Sequence, residues 1–326
     1  MKLRSFVGFS LPSVGLMLLL LALPMVMTAW LSVRNCAFDM QLATVTQTGP
    51  FGASEVTTQR ARLDENGRPV EVCSFVGGEY YRKVLGLDSE AGGGPGNDQN
   101  EFFGALRFTM LFVAATTPFV LIGGLVLALA MNRVTQRLKG LFIAASLLPF
   151  IITPVVGALS IKWLFRDNGL VPHLLSGVGV ELFWMGQAWS AQLLVILYGI
   201  WHTLPFAFIV FYAGLQGVPQ DSLESATLDG ANAWQRLRYV TLPHLMPLVV
   251  FVTLIHLMDS YRVFEPVIVL TQGAFTTSVQ VLTYHVLLLE DNPYKASAAA
   301  VLTIVGIGIL LIPLLRKTWR EQRKGF

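Results

Sequence analysis

The chain has 326 residues, of which 54% are hydrophobic and only 13% charged. That leaves too few polar side chains to coat a soluble globule of this length, so the composition excludes an ordinary water-soluble enzyme and calls for a membrane. The formal net charge of +3 comes from basic residues scattered along the edges of apolar runs, a distribution that excludes a nucleic-acid-binding surface.

About 20 apolar residues are needed to cross the hydrocarbon core, so the gaps between charged residues serve as a ruler. Six spans are predicted. The first lies between Arg4 and Arg34; its 29 uncharged residues, Ser5 to Val33, and the lack of a small-x-small cleavage site favour a retained helix over a signal peptide. A polar segment, 34–103, follows and is too long for a mere connector. Within it, Val56–Leu63 and Pro69–Phe75 flank Asp64-Glu65-Asn66-Gly67, which predicts a hairpin, and Glu79–Leu87 reads as a short helix. The Gly-rich stretch from Ala91 to Asn100 reads as a linker.

The second and third spans fall between Arg107 and Arg133 and between Lys139 and Lys162, and the fourth is centred on Ala191–Tyr212. The fifth runs from about Leu245 to Leu270 with charges in its second half, and the last occupies Ala296–Leu315. Each must be helical, because a spanning segment has to satisfy its own backbone hydrogen bonds. The predicted fold is therefore an all-α polytopic membrane protein of six transmembrane helices, with a small β-containing external insert between the first two. Its divisions are 1–33, the insert 34–103, and a five-helix core 104–326 that includes a polar loop, 214–244. Lys2, Arg4, Arg133, Arg137, Lys139, Arg236, Arg238 and the basic C-terminal tail all fall on one side, which places both termini and that loop in the cytoplasm. Gly123-Gly124 and Gly157 suit close helix packing.

The loop carries the most specific signal. Glu224, Ala226, Gly230, Leu242 and Pro243 stand at the spacing E-A-A, three residues, G, nine residues, I, one residue, L-P, with Ser225 and Val240 as departures. This stretch resembles the signature loop of permease subunits in ATP-driven importers. Pro219 fixes the start of a helix, and Asp221 or Ser222 is expected to cap it, with Glu224 in capping-box spacing to Asp221. Gly230 permits a sharp reversal, and Ala233–Tyr239 starts a second helix that meets the fifth span at Pro243 and Pro247. The resemblance implies a helix-turn-helix that docks into the ATP-hydrolysing subunit, with Glu224, Ser225, Ala226, Asp229, Gly230, Leu242 and Pro243 as the coupling residues.

A second resemblance narrows the type. Asp259-Ser-Tyr-Arg262-Val-Phe264-Glu265, followed by Leu270-Thr271-Gln272-Gly273, is similar to the fifth-helix segment of sugar permeases of the maltose and glycerol-3-phosphate type, with Ala274 and Phe275 replacing the usual Gly-Pro. His256, Asp259 and Arg262 are spaced by three and Glu265 extends the stripe. They either line a path for a hydroxylated solute or form ion pairs that lock helices. Tyr198, Trp201 and His202, with Pro205, form another candidate lining whose aromatic faces suit sugar rings, and the same residues also suit packing. The only cysteines, Cys36 and Cys73, lie in the external insert, which in a bacterial importer faces an oxidising compartment. They are two buried thiols or, as that placement favours, a disulfide.

No G-x-x-x-x-G-K-S/T loop, H-E-x-x-H or G-x-S-x-G occurs, so no catalytic residue and no metal ligand is expected in this chain. ATP and Mg²⁺ belong to a partner. The implied partners are a second permease subunit, two ATPase subunits, a solute-binding protein and a sugar-type solute in a bacterial inner membrane. The rival from another class is a membrane-anchored sensor whose external insert binds a ligand and whose cytoplasmic loop recruits a regulator.

Overall fold

In the computed structural model the residues described are 3–49, 52–64, 67–87, 101–177, 179 and 183–324. They are mostly helical and fall into two units: residues 1–99 with 286–301, and residues 100–285 with 302–326.

In the first unit, α1 (Leu3–Leu31) is apolar on every side and its described leucines are exposed all round, a surface that only lipid or another protein covers without penalty. The chain leaves α1 through Ser32, which is buried and hydrogen-bonded to the Tyr81 hydroxyl at 2.7 Å, and the Arg34 guanidinium lies over the Trp30 ring. Four strands follow: β1 (Arg34–Phe38), β2 (Met40–Gly49), β3 (Gly52–Ala61) and β4 (Glu71–Phe75). β1 pairs antiparallel with β4, and β2 with β3 in the register Met40↔Ala61 to Gly49↔Gly52.

The predicted hairpin is corrected by this pairing. The chain does reverse between Leu63 and Pro69, which form a bridge, and Gly67 supplies a positive φ of 72°. Glu65 and Asn66 of the predicted turn lie outside the described residues, as does the 91–100 linker. Yet the strands on either side of that reversal pair elsewhere, because Pro69 has no amide to extend a ladder, whereas β2, with Thr44, Val45, Thr46 and Thr48, offers ten consecutive partners. After Gly77, α2 (Glu79–Val84) forms with Tyr80 buried and stacked on Tyr294.

Cys36 and Cys73 stand opposite one another in the β1–β4 register and are joined as a disulfide across 37 residues. A bridge of that span contributes roughly 3 to 4 kcal/mol on the chain-entropy account. Cys36→Ser is therefore expected to make the insert cleavable by trypsin at protease levels that spare the oxidised wild type; equal cleavage of the two would show that the ladder holds without the bridge.

The second unit is built around α3 (Glu101–Asn132) and α7 (Ala188–Gln216), with α4 (Gln136–Ile151) against α7 and α10 (Leu242–Tyr261) against both α3 and α7. Phe208, Phe211, Leu245, Val120 and Val252 fill one core and Phe112, Leu194, Val195, Val267 and Leu270 another. Small residues let the backbones approach: a Cβ on Gly124 would lie 2.7 Å from the Ala207 Cβ and 3.0 Å from the Phe208 nitrogen.

Two predicted spans are not straight. The third is bent by 93° between α4 and the pair α5 (Pro154–Phe165) and α6 (Leu170–Ser176). Pro154 is the cause: it disfavours helical geometry at Thr153, and both Ile152 and Thr153 are extended. The fifth stops at Tyr261 and restarts as α11 (Glu265–Thr271), where Pro266 opens the new helix. After α12 (Val279–Leu288), the last helix, α13, runs Pro293–Lys324. Among the described residues, five helices are long and apolar enough to cross a membrane, or six if the bent pair is one span.

Candidate functional site

The signature stretch folds as two short helices around a sharp turn. α8 (Gln220–Leu228) begins directly after Pro219, and no side chain caps it, so the predicted Asp221 or Ser222 cap is not formed. Proline at the N-cap starts the helix two residues early and leaves Asp221 inside its first turn, where its charge favours the positive helix end. The C-terminus is closed by a Schellman arrangement: Ala231 N donates to Ala226 O at 2.9 Å and Gly230 N to Thr227 O at 3.1 Å, with Gly230 at φ 77°.

Asn232 then caps α9 (Ala233–Arg236) with the reciprocal box that was expected upstream. Its side chain accepts from Gln235 N, and the Gln235 side chain accepts from Asn232 N, both at 2.8 Å. Arg236 Nη1 donates to Thr227 Oγ1 at 2.7 Å, bracing α8 against α9. Beyond α9 the helix does not end. It passes through a π-helical turn, Leu237–Thr241, in which Leu242 N bonds to Leu237 O, and continues as α10. The shift in register falls just before Pro243, which has no amide for an α-helical bond to Tyr239. Leu242 and Pro243 thus sit inside one rigid rod that joins the turn to the membrane helix.

Glu224, Ser225, Asp229 and Gly230 are exposed on this knob and Ala226 is half-buried. Three large side chains that the spacing did not single out stand out beside them: Leu228 is 88% exposed, Trp234 66% and Tyr239 69%. Large apolar side chains in a polar loop signal a contact surface, and that was the sign available in the sequence.

The polar residues of the other helices are not gathered into one lining. His256 is 4% exposed and held between helices: the Thr116 hydroxyl donates to Phe112 O and accepts from His256 Nε2 at 3.0 Å, and Ser260 Oγ lies 3.1 Å from the ring. Asp259 and Arg262 are exposed and 3.7 Å apart, while Glu265 is exposed in the first turn of a different helix, so the predicted stripe is interrupted at Arg262.

Tyr198 and His202 brace the bend. His202 Nδ1 donates to Pro149 O and the Tyr198 hydroxyl to Pro154 O, each at 2.8 Å, and the two rings stack at 5.7 Å. A break in a spanning helix frees carbonyls that need such donors. Trp201, next to them, is exposed. Among the described residues, no group of three His, Cys, Asp or Glu side chains is placed to hold a metal ion.

Residues 96–323 match the family model described as binding-protein-dependent transport system inner membrane component. The chain belongs to that family. This permease is 32% identical over 238 residues to the trehalose/maltose transport system permease protein MalF of Thermococcus litoralis, covering 71% of this chain and 75% of that one. Its fold is similar to that of a bacterial ABC transporter involved in the import of the acidic polysaccharide alginate, with a TM-score of 0.70, 22% identity and coverage of 97% of this chain and 96% of the other. A second solved structure, an alginate ABC transporter in complex with a periplasmic protein bound to an alginate pentasaccharide, gives a TM-score of 0.62 and 25% identity over 73% of this chain and 82% of the other.

In the permease, burial of His256 makes a specific prediction. His256→Leu removes an interhelical hydrogen bond worth about 1 kcal/mol in a membrane protein and leaves Ser260 without its ring partner. The melting temperature of the purified protein is expected to fall while the KM for transport stays at the wild-type value; a raised KM at unchanged stability would mean that His256 meets solute.

Proposed function

We propose that this permease is one of two membrane subunits of an ATP-driven importer for a carbohydrate or related polyol delivered by a solute-binding protein. The carrying observation is the α8–Gly230–α9 knob, a signature loop with rigid caps on both sides of its turn and a continuous helical rod into the membrane. The similarity to a trehalose/maltose permease supports a sugar as solute, and the alginate transporter captured with its periplasmic protein supports delivery by a binding protein.

In this reading the bent pair counts as the third of six spans. Both termini and the 214–244 loop are cytoplasmic, and the 34–103 insert is external. Glu224, Ser225, Ala226, Asp229 and Gly230 form the docking knob, Leu228 and Trp234 add apolar contact, and Leu242 and Pro243 carry the motion to α10. Two ATPase subunits bind ATP and Mg²⁺ and close against this knob and that of a second permease subunit, which converts closure into alternating access. Trp201, Asp259, Arg262 and Glu265 are the candidates left to face the path, with Tyr198, His202 and His256 shaping it from behind.

Docking is tested by cross-linking. With Trp234→Cys in the assembled complex, a bifunctional thiol reagent is expected to join the permease to the ATPase subunit, and Phe119→Cys, on the exposed face of α3, to give no such product. Equal yields from the two positions would remove the docking assignment.

A further inference from the structure

Apart from the loop and the polar residues of α7 and α10, the second unit holds a cavity of about 780 Å³ at the far end of α5. That volume lies within the range of small-molecule sites. Lys162 and Trp163 come from the last turn of α5, Arg166 and Asp167 from the turn after it, and Phe183 and Gln187 from the approach to α7. The placement follows from local structure. Arg166 is extended and ends α5, and Gly169 N bonds back to Arg166 O, so the chain turns directly after α5 and keeps Arg166 and Asp167 beside Lys162 and Trp163 in the lining.

The donors and acceptors are arranged for a hydroxylated ring. Lys162 Nζ is held by Val269 O at 2.8 Å, which fixes the wall. The Trp163 indole is 66% exposed, with the Arg166 guanidinium 5.5 Å from its centroid. Among the described residues, Arg166 and Asp167 make no ion pair, so the exposed Asp167 carboxylate stands beside a guanidinium that lies over the Trp163 ring and keeps its N–H groups for a ligand. The Gln187 carbonyl oxygen accepts from Trp189 Nε1 at 2.7 Å, which leaves the Gln187 amide hydrogens to donate elsewhere. An indole face with a neighbouring carboxylate, guanidinium and amide matches the C–H faces and hydroxyls of a sugar. A lipid phosphate is disfavoured by the Asp167 carboxylate in the same mouth.

We propose that this cavity is a saccharide-binding site on the external side, in which one sugar unit stacks on Trp163 and its hydroxyls bond to Asp167, Arg166 and Gln187 before the solute reaches the path. The assignment rests on the importer reading for its orientation. It is distinct from the α7 and α10 residues and does not depend on the solute-binding protein.

The test uses the assembled transporter in lipid nanodiscs without binding protein, with trehalose, maltose and lactose as probes and saturation-transfer NMR as readout. Wild type is expected to transfer saturation to the ring protons of at least one probe. Trp163→Ala should weaken binding about tenfold and Asp167→Asn about fivefold, while Trp163→Phe keeps most of it. Equal binding by all variants, or no binding of any probe by wild type, overturns the site. ATP-driven uptake is measured with the binding protein restored: uptake that persists while the site fails leaves the importer reading standing, so the two failures are distinguishable.

Discussion

Gly230→Val is expected to reduce ATP-driven uptake at least about tenfold while the protein still inserts and assembles its helices. A Cβ at Gly230 would meet nothing within 4 Å, so the damage is not steric crowding by neighbours. It is confined to the backbone, held at φ 77°, a conformation that costs an ordinary L residue about 1–2 kcal/mol and a β-branched one more. The chain escapes by opening the turn, which breaks the Ala231–Ala226 and Gly230–Thr227 hydrogen bonds and changes the angle between α8 and α9. The knob then no longer presents Glu224, Leu228 and Trp234 together. Gly230→Asn separates strain from side-chain size, because Asn tolerates the left-handed region, and it should keep a large share of uptake. Uptake by Gly230→Val at the wild-type rate would show that the turn does not transmit force.

Gly124→Leu is expected to destabilise the second unit directly. The Cβ of any other residue would press on the Ala207 Cβ and the Phe208 backbone nitrogen, and a backbone cannot step aside as a flexible side chain can. Overpacking of this kind costs about 1–3 kcal/mol, and here it falls on the α3–α7 contact around which the second unit is built. Gly140→Leu is the control, since nothing lies within 4 Å of its Cβ position. Purified Gly124→Leu should lose its fold at a clearly lower temperature than wild type, with Gly140→Leu close to wild type; similar melting of all three would mean that the helices pack differently.

The two-helix shape of the signature stretch was legible because its information is local. Its turn, caps and rod lie within 24 residues of chain, from Pro219 to Leu242, and spacing alone brings them together. The capping box was placed wrongly because Asp221 and Glu224 satisfy the same spacing as Asn232 and Gln235. What separates the two pairs is Pro219, which starts α8 before Asp221 can cap it. A charge ruler also measures length and not direction, so the 93° bend at Ile152–Pro154 was hidden, although Pro154 was its signal.

The polar stripe is divided for two reasons. Pro266 opens a new helix after Arg262, and the burial of His256 depends on Thr116, 140 residues away in sequence. Such long-range partners leave no local trace. In the insert, the β1–β4 pairing was equally non-local, and only the two cysteines, opposite one another in that ladder, pointed to it.

The most direct measurement is ATP-driven accumulation of a labelled sugar in proteoliposomes carrying the assembled permeases, ATPase and binding protein, compared between wild type and Glu224→Ala. The predicted result is accumulation by wild type and its loss, together with loss of ATPase subunit retention, in Glu224→Ala; accumulation by Glu224→Ala at the wild-type rate with the ATPase still bound would contradict coupling through this loop.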